Sequence, residues 1–153
     1  MFQDCVFCKI STGKEHAYKI FENEKVIALL DRFPIAPGHS LVITKKHYPD
    51  FISVPDEELF DLAKVSKIVG LAVKSGMKAD GVRLFTNVGR AASQIIFHVH
   101  IHIVPMWEKE PNFTWFRRRA EITPNAANYV LNKIKPYFST PASIKFHSSE
   151  EIY

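Results

Sequence analysis

Phe97-His98-Val99-His100-Ile101-His102-Ile103-Val104-Pro105 alternates imidazole with apolar side chains. Successive side chains of a strand point to opposite faces. The spacing therefore predicts a strand over Phe97 to Val104 with His98, His100 and His102 on one face and Phe97, Val99, Ile101 and Ile103 on the other. At roughly 3.3 Å per residue, neighbouring histidines stand about 6.6 Å apart. One histidine on a solvated face is ordinary. Three in strict alternation opposite an apolar face, where Thr, Lys or Glu would make the better ladder, point to chemistry.

The apolar face needs a cover, and the flanking sequence supplies one. Ser53-Val54-Pro55-Asp56-Glu57-Glu58 reads as a helix start, with proline where its missing amide costs nothing and acids in the first turn. Leu59, Leu62, Val65, Val69, Ala72 and Val73 then form one stripe that ends at Lys74 and Gly76. Pro124 to Phe138 reads as a second helix with Ala127, Val130, Leu131, Ile134 and Phe138 inward. Further strands are predicted over Ala17 to Glu22 and Lys25 to Leu30, joined by a turn at Asn23-Glu24, then over Ser40 to Ile43 and Val82 to Asn87. The loop of Pro34, Pro37 and Gly38 puts His39 at a strand mouth. Helices and strands do not alternate strictly. The expectation is an α+β domain with a mainly antiparallel five-stranded sheet and two principal helices over residues 1–138, followed by a polar C-terminal tail at 139–153.

Composition narrows the function classes. The chain has 153 residues, of which 46% are hydrophobic and 24% charged, outside the disordered range. Its apolar runs fall far short of the ~20 residues of a bilayer span, so no membrane association is expected. The N-terminus has no basic region leading into an apolar stretch, and a cytoplasmic location follows as an expectation. A net charge of +4 suits anionic ligands. Arg117-Arg118-Arg119 behind Trp115-Phe116 reads first as a solvated face, which disfavours a nucleic-acid partner. The two cysteines both lie in Cys5-Val6-Phe7-Cys8, which has the spacing of half a tetrahedral zinc site. The spacing alone leaves open a redox dithiol or two buried thiols.

Three chemistries fit the histidine row. A central imidazole can attack phosphorus and form a phosphoramidate while its neighbours stabilise charge and carry protons. Alternatively, the histidines ligate a catalytic zinc bearing an activated water, although a third ligand on one straight strand reaches the same ion poorly. A nucleotide-binding module without turnover is the third.

His98-Val99-His100-Ile101-His102-Ile103-Val104 resembles the motif of the histidine triad (HIT) family of nucleotide hydrolases and transferases. The resemblance runs through Asp31-Arg32-Phe33-Pro34-Ile35-Ala36-Pro37-Gly38-His39, Lys45-Lys46-His47 and Asn87-Val88-Gly89 to Gln94, over roughly residues 5 to 106. It implies a purine nucleotide substrate, an adenosine phosphoramidate or dinucleoside polyphosphate, cleaved at the α-phosphate through a nucleotidyl-histidine. His100 matches the nucleophile, and His102, His39 and Gln94 match its catalytic neighbours. Asp31 matches the acid that holds the ribose hydroxyls, and Asn87 a polar group at the phosphate. Phe7, Ile10 and Leu29 match the apolar base pocket. In the branch that begins Cys-x-x-Cys, Cys5, Cys8, His47 and His98 match a structural zinc site, which four protein ligands would close. The compact branch implies a homodimer, which exposed apolar residues on the Leu59 helix would suit. Two departures concern the leaving group: Ile95 stands where relatives carry Ser or Thr, and Met106 where many carry Arg. His16 and His147 receive no role.

Overall fold

The structure is a computed structural model that describes residues 4–138, so the expected tail at 139–153 lies outside the described residues. Five strands, β1 (Lys19–Glu22), β2 (Val26–Leu30), β3 (Ser40–Thr44), β4 (Gly81–Phe85) and β5 (His100–Met106), form one sheet in the order β1-β2-β3-β5-β4. Every pairing is antiparallel. The helices are α1 (Val6–Ser11), α2 (Asp56–Gly76) and α3 (Pro124–Ile134). The α+β expectation holds.

Alternation along the strands makes two apolar layers. Val42, Ile101 and Ile103 pack under α2 and α3 with Leu62, Val69, Val73, Val130 and Ile134. Burying each such side chain is worth about 1.5–3 kcal/mol, so this layer holds the sheet flat against its helices. On the opposite face, Ile27, Leu29, Leu41 and Ile43 pack against Phe7 and Ile10 of α1.

α1 was not expected from the sequence. It is a short helix whose first turn is capped by Cys5, with Sγ accepting the Cys8 N–H at 3.2 Å. Thr123 caps α3 through Oγ1, and the expected helix to Phe138 tightens into a 3-10 turn over Lys135–Phe138, where Pro136 removes a helical donor.

The triad strand starts later than its alternation predicts. The Val99 N–H bonds Tyr48 O at 2.8 Å and the His98 carbonyl accepts from the ring of His100, so residues 98 and 99 are bonded outside the ladder. Phe97, expected on the apolar face, is instead 43% exposed. β4 likewise ends at Phe85 rather than Asn87, because the Thr86 hydroxyl donates to His100 O at 2.8 Å in place of ladder pairing.

Candidate active site and metal cluster

β5 carries two of the three histidines on the face away from α2, where α1 meets them. The Phe7 ring lies 5.6 Å from that of His98 and 5.1 Å from that of His100. Neighbouring backbone and side-chain groups fix which nitrogen of each ring is free, and those constraints separate the histidines by role.

His98 is fully buried, and its Nε2–H donates to Thr44 O at 2.7 Å. Nδ1 is therefore a bare lone pair, 3.4 Å from both Cys5 Sγ and Cys8 Sγ. His47 Nδ1 stands 3.6 and 3.3 Å from the same sulfurs. A tetrahedral zinc with bonds near 2.3 Å to sulfur and 2.0–2.1 Å to nitrogen separates N and S by about 3.5 Å. All four distances fit that figure. Burial holds His98 down to about 4 and also lowers His47, which keeps both rings in the neutral, ligating form. Burial and the adjoining Cys5 thiol push Cys8 up to about 12, an effect that a bound cation reverses.

In His100 the opposite ring nitrogen is engaged. Its Nδ1–H donates to the His98 carbonyl at 2.7 Å, which leaves Nε2 as the free lone pair; burial lowers its pKa. The His102 ring lies 4.9 Å from it. His39 Nδ1 accepts the Ile35 N–H at 3.1 Å, so the proton of neutral His39 sits on Nε2. That Nε2 lies 2.9 Å from His102 Nδ1 and 3.3 Å from Asp31 Oδ2. With Nδ1 accepting from His39, neutral His102 carries its own proton on Nε2. Burial, with help from His100 and His39, drives the His102 pKa down to about 3, and burial also lowers that of His39. The row thus holds neutral imidazoles with set tautomers.

Asp31, His39 and His102 also bring three ligating atoms together. A histidine that binds metal ordinarily donates its second ring N–H to an acceptor. In His39 the second nitrogen accepts an amide instead, so ligation through Nε2 would require the ring to lose both protons. This cluster does not suit a cation, whereas His98 with Thr44 does.

A cleft of about 300 Å³ is lined by Phe7, Ile10, Leu29, Leu41, Asp31 and Ile96, and it meets the histidines through Phe7, whose ring lies 5.1 Å from that of His100, and Asp31, which faces His39. It gathers the three apolar residues matched to a base pocket and the acid matched to the ribose. Asp31 divides its carboxylate, since Oδ1 accepts the Phe33 N–H at 2.8 Å while Oδ2 faces His39. Gln94 is buried, and its amide is taken up by backbone: Oε1 accepts from Gly89 N, and Nε2 donates to Pro49 O and Ile96 O at 2.6 and 3.1 Å. It braces the 86–99 connection internally and ties it to the loop after β3. Asn87 reaches only Ser93 O, at 3.5 Å, in a loop where Ser93 takes a left-handed backbone and Ile95 is 88% exposed.

Several residues of the site were not singled out in the sequence. Phe85 stacks on the His102 ring at 4.6 Å with an angle of 10° between planes. His16 and Tyr18 line the far wall of the cleft with their rings 4.9 Å apart. The 117–122 segment closes another wall: Arg119 N–H and Ile122 N–H bond Pro34 O and Arg32 O at 2.8 Å, and Arg32 pairs with Glu121 at 2.7 Å. The strand register that pairs Phe85 with His102 could not be read from the sequence. His16 and Glu121 reach the cleft from loops that carry no periodic signal.

The comparisons agree with this geometry. A histidine triad nucleotide-binding protein from Sulfolobus tokodaii, described as hypothetical, superposes with a TM-score of 0.82 at 41% identity, over 92% of this chain and 91% of its own. A Zn-bound histidine triad family protein from Mycobacterium smegmatis gives 0.76 at 32% identity, over 91% and 99% of the two chains. Among curated proteins, the adenylylsulfatase HINT3 of Arabidopsis thaliana is 37% identical over 70% of this chain and 54% of its own length. The HIT domain model matches residues 12–109, which span all five strands and the three histidines of β5 and its approach, and on that match the chain belongs to the HIT domain family.

Proposed function

We propose that this chain is a nucleotide hydrolase or nucleotidyl transferase that works through a covalent nucleotidyl-histidine on His100. The observation that carries the reading is the 2.7 Å bond from His100 Nδ1–H to His98 O, which leaves Nε2 unprotonated on a ring that meets Phe7, a wall of the 300 Å³ cleft. In this account the base packs against Phe7, Ile10 and Leu29, Asp31 takes the ribose hydroxyls, and Asn87 with the 89–95 loop borders the phosphate. His100 Nε2 attacks the α-phosphorus, so an N–P bond forms and the bond to the leaving nitrogen or oxygen breaks with its electron pair. His102, held by His39, offers its Nε2–H to the reacting phosphate or leaving atom. Water then attacks phosphorus and passes a proton to His102 Nε2, restoring the one spent on the leaving group, the P–N bond breaks, and the nucleoside monophosphate leaves while His100 recovers its lone pair. Gln94 acts as a positioning residue through the loops it joins.

A zinc ion on Cys5, Cys8, His47 and His98 would fix α1 to the approach of β5, and four protein ligands leave it no open position. Such an ion would be structural. The Arabidopsis relative, named an adenylylsulfatase, supports an adenylate substrate; the family resemblance adds adenosine phosphoramidates and dinucleoside polyphosphates as the forms to test. We further propose a homodimer, since Leu71 on α2 and Leu84 on the edge strand β4 are 64% and 47% exposed; light scattering at one chain's mass would contradict it.

Steady-state hydrolysis of adenosine 5′-phosphoramidate and of diadenosine tetraphosphate tests the enzyme reading. His100→Gly should lower kcat by at least about a thousandfold. Undiminished turnover in that variant would remove the mechanism, and tight binding without product in the unmodified chain would leave a binding module.

A further inference from the structure

A second cleft of about 410 Å³ lies at the end of β5; it is lined by Arg83, Val104 and Met106 from the histidine face, by Trp107, which packs against the core under α2, and by Phe113 and Arg118. Its relation to the active row follows from register. Phe85, which stacks on His102, is paired with it across β4 and β5, and Arg83 is paired with Val104. Side chains two residues apart share a face, so Arg83 and Val104 lie about 6.6 Å along the strands from Phe85 and His102. The first cleft extends from the row over β2 and β3, through Leu29 and Leu41. The second begins where the row ends, over β4 and the last residues of β5.

The lining has a definite chemistry. Among the described residues, neither the Arg83 nor the Arg118 guanidinium has a carboxylate within ion-pair distance, although Glu110 also lines the cleft. Guanidinium forks match phosphate oxygens. Trp107 is held in place by Nε1–H bonds to Lys78 O and Met77 O at 3.0 and 3.3 Å, and the Phe113 ring meets it at 5.5 Å. A fixed aromatic wall beside two free arginines suits a phosphate chain that ends in an aromatic ring.

We infer that this cleft is the leaving-group site, and that it takes a second nucleoside 5′-phosphate unit, with Arg83 and Arg118 on its phosphates and Trp107 and Phe113 against its base. The inference rests on the proposed function and names the substrate class of that same site. Attack at the α-phosphorus then breaks a P–O bond, and the electron pair departs on a phosphate oxygen held by the two arginines, so the leaving group needs little help from a proton. An amine leaving group has neither charge nor ring for this cleft.

The test compares kcat/KM for diadenosine tetraphosphate and adenosine 5′-phosphoramidate in the unmodified chain, in Arg83→Ala, in Arg118→Ala and in the double variant. Both arginines are exposed, so the variants should fold. The ratio of the two constants should fall by about tenfold per arginine, and Glu110→Gln should raise it. A ratio unchanged within about twofold in the double variant would overturn the assignment while leaving the His100 mechanism intact. If the unmodified chain hydrolyses neither substrate, the proposed function fails and the leaving-group site falls with it.

Discussion

The division of labour among the histidines rests on what each ring nitrogen touches rather than on which face the rings share. Alternation in the sequence grouped His98, His100 and His102 as one row, and it carried no information on tautomers. Those depend on Thr44 O, which tertiary structure brings to His98, and on His98 O and the Ile35 N–H, which local backbone geometry aims at His100 and His39. The same limit explains Gln94, which the family resemblance put beside the phosphate and whose amide is spent on Gly89, Pro49 and Ile96. Gln94→Ala should remove the three hydrogen bonds to these part-buried backbone groups and cost about 1–3 kcal/mol. Thermal unfolding should show it as a lowered Tm; an unchanged Tm would mean the amide does not tie the loops. For Phe85, which stacks on His102, Phe85→Leu should lower kcat more than it raises KM if the stack positions the ring, and it should leave Tm nearly unchanged.

At the scale of elements, periodic segments were legible and aperiodic ones were not. The stripe from Leu59 to Val73 predicts α2, and the strands fall within a few residues of their expected ends. α1 is too short to show a helical period, and its first turn depends on the thiol of Cys5. The approach of α2 to α3 is likewise hidden in the sequence. A Cβ on Gly76 would collide with the Lys133 carbonyl, so the end of α2 can pass α3 only as glycine. Gly76→Ala should destabilise the fold by about 2 kcal/mol or more by chemical denaturation, despite alanine's higher helix propensity. A neutral or stabilising result would show that the helices are free to separate there.

For the whole molecule, two couplings tie stability to solution conditions. His102 and His39 are held neutral, with pKa values below the ordinary histidine value of 6.5 and that of His102 at about 3. Between those limits the unfolded chain binds more protons than the folded one, so protonation favours unfolding. Their contribution is complete above pH 6.5 and is lost as pH falls toward 3, without a comparable loss on the alkaline side. A urea midpoint that stayed flat from pH 7 to 4 would contradict this burial. The second coupling is the Cys5, Cys8, His47 and His98 cluster, which joins the N-terminus to the approach of β5 across most of the chain length. Zinc content should be about one ion per chain, and removal by a chelator should lower Tm and slow catalysis in parallel. Turnover that ceased on chelation with the fold unaltered would instead point to a catalytic metal. The cysteine spacing pointed to half of this site, whereas the partners at positions 47 and 98 came from the family resemblance.

Rapid acid-free quenching of a single turnover with radiolabelled diadenosine tetraphosphate, followed by peptide mapping, tests the central claim most directly. The account predicts a base-stable, acid-labile nucleoside monophosphate on His100, and no label in His100→Gly. Label on another residue, or product formed with no protein-bound nucleotide at any time, would contradict it.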